Sequence, residues 1–371
     1  MMKIDKDKLL IGAAGPVLAL VTSFVLTVLV LLATGLDPIE PIQLMIDNAG
    51  FSDTQVLIVN QTGIYYLAAL AVAIGFRMNL FNIGVDGQYR LAAMISAVVG
   101  ASVDLPGPLH ILLIVIVAMV TGAFWAGIAG ILKTTRGVSE VVSTIMLNAI
   151  TTSLVAWLLL PKNFGVQPPG SNNLTTGEIA ESGWFPGVDM GDGGQIYGFT
   201  FVALALGVVY WFVLNRTRYG FDLRATGESE SAAQASGVDA KKMILSAMLI
   251  SGALAGLSGM PTLLGETHTY SLDFPVGVGF TAIAIALLGR NHPVGIFFAA
   301  LLFAFLDKAS STLDIEGYPK EITQIMQGII VIAVVVSYEL VRRYGLRRQQ
   351  QKVGEQLAAG GAIKTDKEVT A

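Results

Sequence analysis

The chain has 371 residues, of which 53% are hydrophobic and only 13% charged, with a net charge of −4 and a mean hydropathy of +0.66. A soluble protein carries about twice that charged fraction, so the composition excludes one and specifies an all-α, polytopic membrane protein. The absence of cysteine excludes a disulfide scaffold and thiolate chemistry, three histidines scattered along the chain do not make a metal site, and no G-x-x-x-x-G-K-[ST] loop occurs to bind ATP.

The first apolar run, Leu9–Ala33, is about as long as a bilayer crossing requires and too long for a signal-peptide core. It reads as a retained first span. Nine more runs follow, at roughly 57–76, 88–103, 109–132, 139–160, 198–215, 243–264, 275–289, 293–307 and 322–341. Those at 88–103, 275–289 and 293–307 are short, and glycine or proline bounds or interrupts them. Ten crossings with both termini cytoplasmic put all but Lys162, Lys308 and Lys320 of the 23 Lys and Arg on the inner side, which is the positive-inside pattern. The outer face is then acidic, with Asp37, Glu40, Asp47, Asp53, Glu178, Glu181, Asp189 and Asp192 among its residues. That reflects either the lack of basic residues there or a docking surface for a partner with basic contacts. Residues 1–348 form the membrane domain in this reading. Its longest insert, 161–197, faces outward, and Trp184–Phe185 within it suits the membrane interface or the underside of a partner. The polar tail 349–371 is read as disordered and cytoplasmic.

Polar residues at membrane depth are costly unless they face the bundle or a cavity. Two places concentrate them. The stretch 78–88, Met-Asn-Leu-Phe-Asn-Ile-Gly-Val-Asp-Gly-Gln, carries Asn79, Asn82 and Asp86 between two apolar runs. It reads as broken or re-entrant backbone, or as an ordinary tight cytoplasmic turn. In the fifth span, Glu140, Thr144, Asn148 and Thr151 fall within one narrow arc at about 100° per residue. Such a stripe suits the wall of an aqueous path or helix–helix hydrogen bonding. Glu140 and Asn148 are assigned to the path and the threonines to packing. Gly252-x-x-x-Gly256 in the seventh span lets two backbones meet closely.

Between the sixth and seventh spans lies a short helix with both ends marked. Thr226 is placed to cap its start, Glu228 and Glu230 lie in its first turn, and Gly237 is placed to end it in the left-handed conformation. Ala232, Ala233 and Ala235 give it a surface of small side chains. Arg216, Arg218, Arg224, Lys241 and Lys242 flank it. It is either a knob offered to another surface or a loop helix that joins two spans.

Four phrases carry a resemblance: "NLFNIGVDGQ" at 79–88, "EVVSTIMLN" at 140–148, "FTAIAIALLGRNHPVG" at 280–295 and "RYGFDLRATGESESAAQASGVDAKK" at 218–242. Together they resemble the permease subunits of ABC importers in the simple-sugar and nucleoside branch. That superfamily also holds ribose, galactose and branched-chain amino acid permeases. The resemblance runs from about Leu57 to Arg343. It implies a non-enzymatic transporter subunit of a prokaryotic cell membrane, with about ten spans and no cofactor of its own. The helix at 226–237 would be the coupling helix, seated in a groove of a cytoplasmic ATPase through Gly227, Glu228, Ala232, Ala233 and Gly237. Glu228-Ser229-Glu230 departs from the family by being more acidic. The implied partners are that ATPase, a second permease (identical or different), an extracytoplasmic substrate-binding lipoprotein and membrane lipid, with no nucleic acid. Nucleosides are the implied substrate, with a simple sugar as the alternative. A stand-alone ion-coupled transporter using Asp86 or Glu140 is the reading from a different class. The translocation path is assigned to Asn79, Asn82, Asp86, Glu140 and Asn148.

Overall fold

The computed structural model describes residues 6–33, 35, 37–319, 321–334 and scattered positions from 336 to 351. Lys3, Lys320 and all of the tail 349–371 except 350 and 351 therefore lie outside the described residues. The chain forms two compact units, a larger one from 43–318 and a smaller one in which 1–42 joins 319–371.

The helices follow in order as α1 (Lys6–Ala33), α2 (Glu40–Asn48), α3 (Ser52–Arg77), α4 (Val85–Ser102), α5 (Gly107–Arg136) and α6 (Glu140–Leu158). After the insert come α7 (Phe199–Arg216), α8 (Arg218–Glu228), α9 (Glu230–Ala235), α10 (Ala240–Leu257) and the short α11 (Met260–Thr262). The chain continues through a π-turn at Leu263–Thr267 into α12 (Val278–Leu288), α13 (Pro293–Ala309) and α14 (Glu321–Val334). Among the described residues, six helices are long and apolar enough to cross a membrane: α3, α5, α6, α7, the α10–α11–π segment and α13 with its terminal turn. The run at 275–289 is the instructive departure. Its helix, α12, has 11 residues, about half of a full crossing, and it begins inside the bundle.

Helix α3 is the axis of the larger unit. Of its most apolar window 89% is buried, with α7, α10, α12 and α13 packed around it. Helices α5 and α7 instead expose Val120, Phe124, Val208 and Phe212, as helices against lipid do. In the smaller unit, Val21, Phe24 and Thr27 of α1 share a groove with Met326 and Ile330 of α14.

Helices α5 and α10 are joined by missing side chains. A Cβ at Gly252 would run into the Gly122 carbonyl, and one at Gly256 into the Ala118 carbonyl. The Gly252-x-x-x-Gly256 spacing thus brings two backbones into contact, as the sequence implies.

Helix ends depend on local chemistry more than on the apolar pattern. Helix α3 stops because Asn79 turns left-handed (φ +58°), which lets the Leu80 N–H reach the Gly75 carbonyl at 2.9 Å. The knob is two helices rather than one. Thr226 lies inside α8, where its hydroxyl donates to the Asp222 carbonyl, and the cap is Ser229, whose hydroxyl accepts from the Ala232 N–H at 3.3 Å. The expected cap at Thr226 is corrected for that reason. Ser229 is extended (φ −161°) and ends one helix as it starts the next. Gly237 does adopt φ +85°, and the Val238 N–H closes on the Ala233 carbonyl at 3.0 Å.

The insert folds against the segment after α11. Thr176 and Tyr270 exchange two hydrogen bonds, the Ile179 N–H reaches the His268 carbonyl, and the Phe185 N–H reaches that of Leu264. Strands β1 (Val188–Asp189) and β2 (Gln195–Ile196) close its far end as an antiparallel pair. Trp184 stacks on His268 with ring centroids 3.8 Å apart, and Phe185 meets Phe199 edge-on. The aromatic pair read as an interface feature is therefore half-buried within the chain's own fold.

Replacing Gly252 with Leu drives a side chain into the α5 backbone. We expect a cost at the upper end of the about 1–3 kcal/mol typical of overpacking, read as a lower melting temperature in detergent. The Trp184–His268 stack titrates. Burial pushes the imidazole below its ordinary value, against a smaller opposing effect of Glu178. The stack's contribution is therefore present above the unfolded value of about 6.5 and is lost as pH falls through the lowered folded value. Amide exchange at 176–185 should accelerate below that window, and His268→Phe should remove the pH dependence.

Candidate functional site

The three membrane motifs meet in space. Helix α4 starts at Val85, directly after the irregular stretch 78–84, and four side chains close around that stretch. Asn82 donates from Nδ2 to Gln88 Oε1 and to Ser251 Oγ, both at 2.9 Å, and Ser251 passes its proton on to the Ala71 carbonyl at 2.6 Å. Asn82 Oδ1 accepts from Gln88 Nε2 at 2.8 Å and from the Gly84 N–H at 3.1 Å. All the hydrogen-bonding capacity of this amide is used, inside a site where Asn82 is 1% exposed.

Asn148 secures the same stretch from α6. Its Oδ1 accepts from the Gly87 N–H and its Nδ2 donates to the Ile83 carbonyl, both at 2.9 Å. A side chain at Gly87 would strike Thr151 and Asn148, so the glycine sets how closely α4 and α6 approach. Glu140 holds the outer edge of the stretch, accepting from the Phe81 N–H at 3.3 Å while paired with Lys133 Nζ at 2.6 Å. Thr144 and Thr151 return their hydroxyl protons to carbonyls of their own helix, rather than to a neighbouring one.

Asp86 joins this assembly to the third motif. Its Oδ1 accepts from the Gly277 N–H at 2.7 Å and the Gly279 N–H at 3.3 Å, and its Oδ2 lies 3.9 Å from Arg90 Nη1. The carboxylate therefore occupies the N-terminus of α12, where unpaired N–H groups and the helix dipole favour negative charge. Arg90 in turn donates to Thr152 Oγ1 at 3.3 Å. Asp86 and Arg90 are both buried. Asn79, the left-handed residue, is exposed and stands outside the network.

Of the residues assigned to the knob, Glu228, Ala232 and Gly237 are exposed on its surface. Ala233 is 3% exposed and faces inward, because it lies on the side of α9 that packs on the rest of the chain. Gly227 is half-buried, its backbone against Arg77 and Met78.

A cavity of about 280 Å³, with polar side chains set in a largely apolar wall, opens beside the insert, and sequence reading missed it. Asn60 and Gln61 of α3 line it together with Tyr197, Glu266, Asp273, Phe274 and Lys308. Asn60 is spoken for, since its amide bridges the Gln195 carbonyl and the Tyr197 N–H, both at 2.9 Å. Glu266 lines the cavity, and Asp273 Oδ2 accepts from Asn173 Nδ2 at 2.7 Å. Each carboxylate thus keeps free acceptor sites toward the cavity. The one available signal was the pair of adjacent amides, Asn60–Gln61, within an otherwise apolar run.

Across residues 55–335 the chain matches the family described as branched-chain amino acid transport system, permease component. A guanosine ABC transporter permease of Bacillus subtilis (strain 168), NupP, is 37% identical over 76% of this chain and 81% of its own length. A nucleoside ABC transporter permease of Lactococcus lactis subsp. cremoris (strain MG1363), NupB, is 32% identical over 87% of this chain and 90% of its own. A glucose ABC transporter permease of Haloferax volcanii is 30% identical over 89% and 88%. The matched region contains the Asn82–Asp86 assembly, the cavity and the knob, so the chain belongs to the branched-chain amino acid transport system permease family, as a multi-pass ABC transporter permease of the cell membrane.

Proposed function

We propose that this chain forms the translocation path of an ATP-driven importer for nucleosides. The observation that carries this reading is the cavity beside the insert. It sets amides and carboxylates in an apolar and aromatic wall, and its volume of about 280 Å³ is close to the lower limit of about 300 Å³ for small-molecule sites. Glu266 and Asp273 offer acceptors to ribose hydroxyls, and Phe274 and Tyr197 offer faces to a base. Relatives named for guanosine and nucleoside transport support the same substrate class.

In this reading the chain crosses the membrane ten times with both termini cytoplasmic. Helices α1, α4 and α14, and the segment 268–288 that ends in α12, add to the six long spans, and the charge asymmetry of the loops orients them. Residues 1–348 are the permease domain, and 349–371 a cytoplasmic tail. ATP is hydrolysed on a separate cytoplasmic chain that grips the 226–237 segment through Glu228, Ala232 and Gly237. Gly227 and Ala233 act behind that surface by seating it. A second permease completes the path, and an extracytoplasmic binding protein delivers substrate to the face that carries insert 161–197. Asn82, Asp86, Glu140 and Asn148 serve the path by holding its broken wall, with Asn79 at the cytoplasmic mouth.

Two outcomes test this. Ala232→Trp enlarges the exposed face of α9 without entering the bundle. It should abolish ATP-driven uptake or release the ATPase while leaving the melting temperature of the isolated permease unchanged; undiminished uptake would count against the coupling assignment. Glu266→Gln and Asp273→Asn each weaken charge-assisted hydrogen bonds worth about 1.5–3 kcal/mol. In vesicles holding the complete importer, each should raise the KM for guanosine by roughly tenfold or more with ATP hydrolysis preserved. Uptake of glucose in preference to guanosine would replace the substrate and keep the cavity.

A further inference from the structure

Three parts of the larger unit meet at one guanidinium. Arg77, the last residue of α3, donates from Nη2 to the Asn291 carbonyl at 2.9 Å, and the Tyr210 hydroxyl of α7 donates to the same oxygen at 3.0 Å. From the other side α8 rests directly on this point. A Cβ placed on Gly227 would lie 2.6 Å from the Arg77 carbonyl oxygen and 2.8 Å from the Met78 Cα. This is backbone against backbone, with no side chain between that could yield. A shift of α8 toward α3 must therefore move the end of α3, and Arg77 with it.

The receiving turn is unusual. Between α12 and α13, Arg290 and Asn291 are both left-handed (φ +59° and +54°), two consecutive residues that carry a Cβ in a region that disfavours one. Such strain persists where the surroundings over-determine it, and here the surroundings are Arg77 and Tyr210. Arg77 and Asn291 also hold an unused donor and an unused acceptor. Arg77 Nε and Asn291 Oδ1 are buried, and neither has a hydrogen-bond partner among the described residues. Buried polar atoms are nearly always paired, so a complementary orphan pair on two residues that are already bonded calls for an explanation.

The geometry points to Arg77 as a positioning residue of the transport cycle: it passes the movement of the 218–237 segment to the α12–α13 turn by exchanging the Asn291 carbonyl for the Asn291 side chain as its partner. One state is the bond observed, Nη2 to the backbone oxygen. In the other, Nε donates to Oδ1 and the strained turn is released. A joint with two discrete arrangements is what coupling between distant sites requires. Its output is α12, whose other end is held by Asp86. This inference rests on the reading of 226–237 as the ATPase-coupling element.

Contiguity alone does not demonstrate coupling, so the test reads motion and turnover separately. In vesicles holding the complete importer, Arg77→Gln should lower uptake by about tenfold or more while ATP hydrolysis continues, and Arg77→Lys should fall between the two. Because the chain has no cysteine, His292→Cys supplies the only thiol on it, at an exposed position next to the turn. Its maleimide labelling rate should differ between nucleotide-free and ATP-trapped complexes, and Arg77→Gln should erase that difference. Uptake and hydrolysis falling in proportion, or a nucleotide-dependent difference that survives Arg77→Gln, overturns the inference. If Ala232→Trp uncouples transport and Arg77→Gln does not, only this inference falls; if neither does, the coupling reading falls with it.

Discussion

The larger unit depends on a single constraint: backbone polar groups that leave a regular helix inside a membrane protein must find partners within the chain. Two irregular stretches, 78–84 and 268–277, interrupt the packed helices and put N–H and carbonyl groups out of helical register. Asp86 meets the second of these where it enters α12, with one carboxylate oxygen on two N–H groups, at Gly277 and Gly279. Asn82 and Asn148 meet the first with both ends of their amides. Without these side chains the buried N–H and carbonyl groups they meet would be left unpaired, which offsets the cost of polar residues at depth.

This constraint also explains how short helices fit a chain whose apolar runs promise full crossings. Helix α12 can begin inside the bundle because a carboxylate occupies its N-terminus. Helix α3 can stop sharply because Asn79 tolerates the left-handed conformation that a β-branched residue would resist. Long helices such as α5 and α10 need no such devices. Their contact is set by glycines that let carbonyls approach. The unit thus combines continuous helices that pack through small residues with broken ones held by polar side chains.

The knob at 218–237 sits at the junction of these two kinds of structure. Helix α8 touches the end of α3 through Gly227, and α9 is pinned by Ala233 beneath and by Gly237 at its end. The exposed edge at Glu228 and Ala232 is thus joined through α8 to α3, around which α7, α10, α12 and α13 pack. The cavity lies toward the opposite end of α3, where Asn60 and Gln61 point away from the knob's end.

Sequence alone determined the class of the protein and most of its helices, because length and apolarity of a run are local properties and a bilayer selects on both. It also marked Gly252–Gly256, Gly237, Asn82 and Asp86, since glycine spacing and polar residues in apolar surroundings stand out without coordinates. It did not separate Ala232 from Ala233, adjacent and chemically identical, because which of them faces inward depends on the packing of α9. Nor could it show where Asn82, Asp86, Glu140 and Asn148 find their partners, which lie up to 193 positions away along the chain. The cavity was illegible for the same reason. Glu266, Asp273 and Lys308 are unremarkable loop and helix-end charges until the insert folds over them, and only tertiary structure brings chain-distant groups within hydrogen-bonding range.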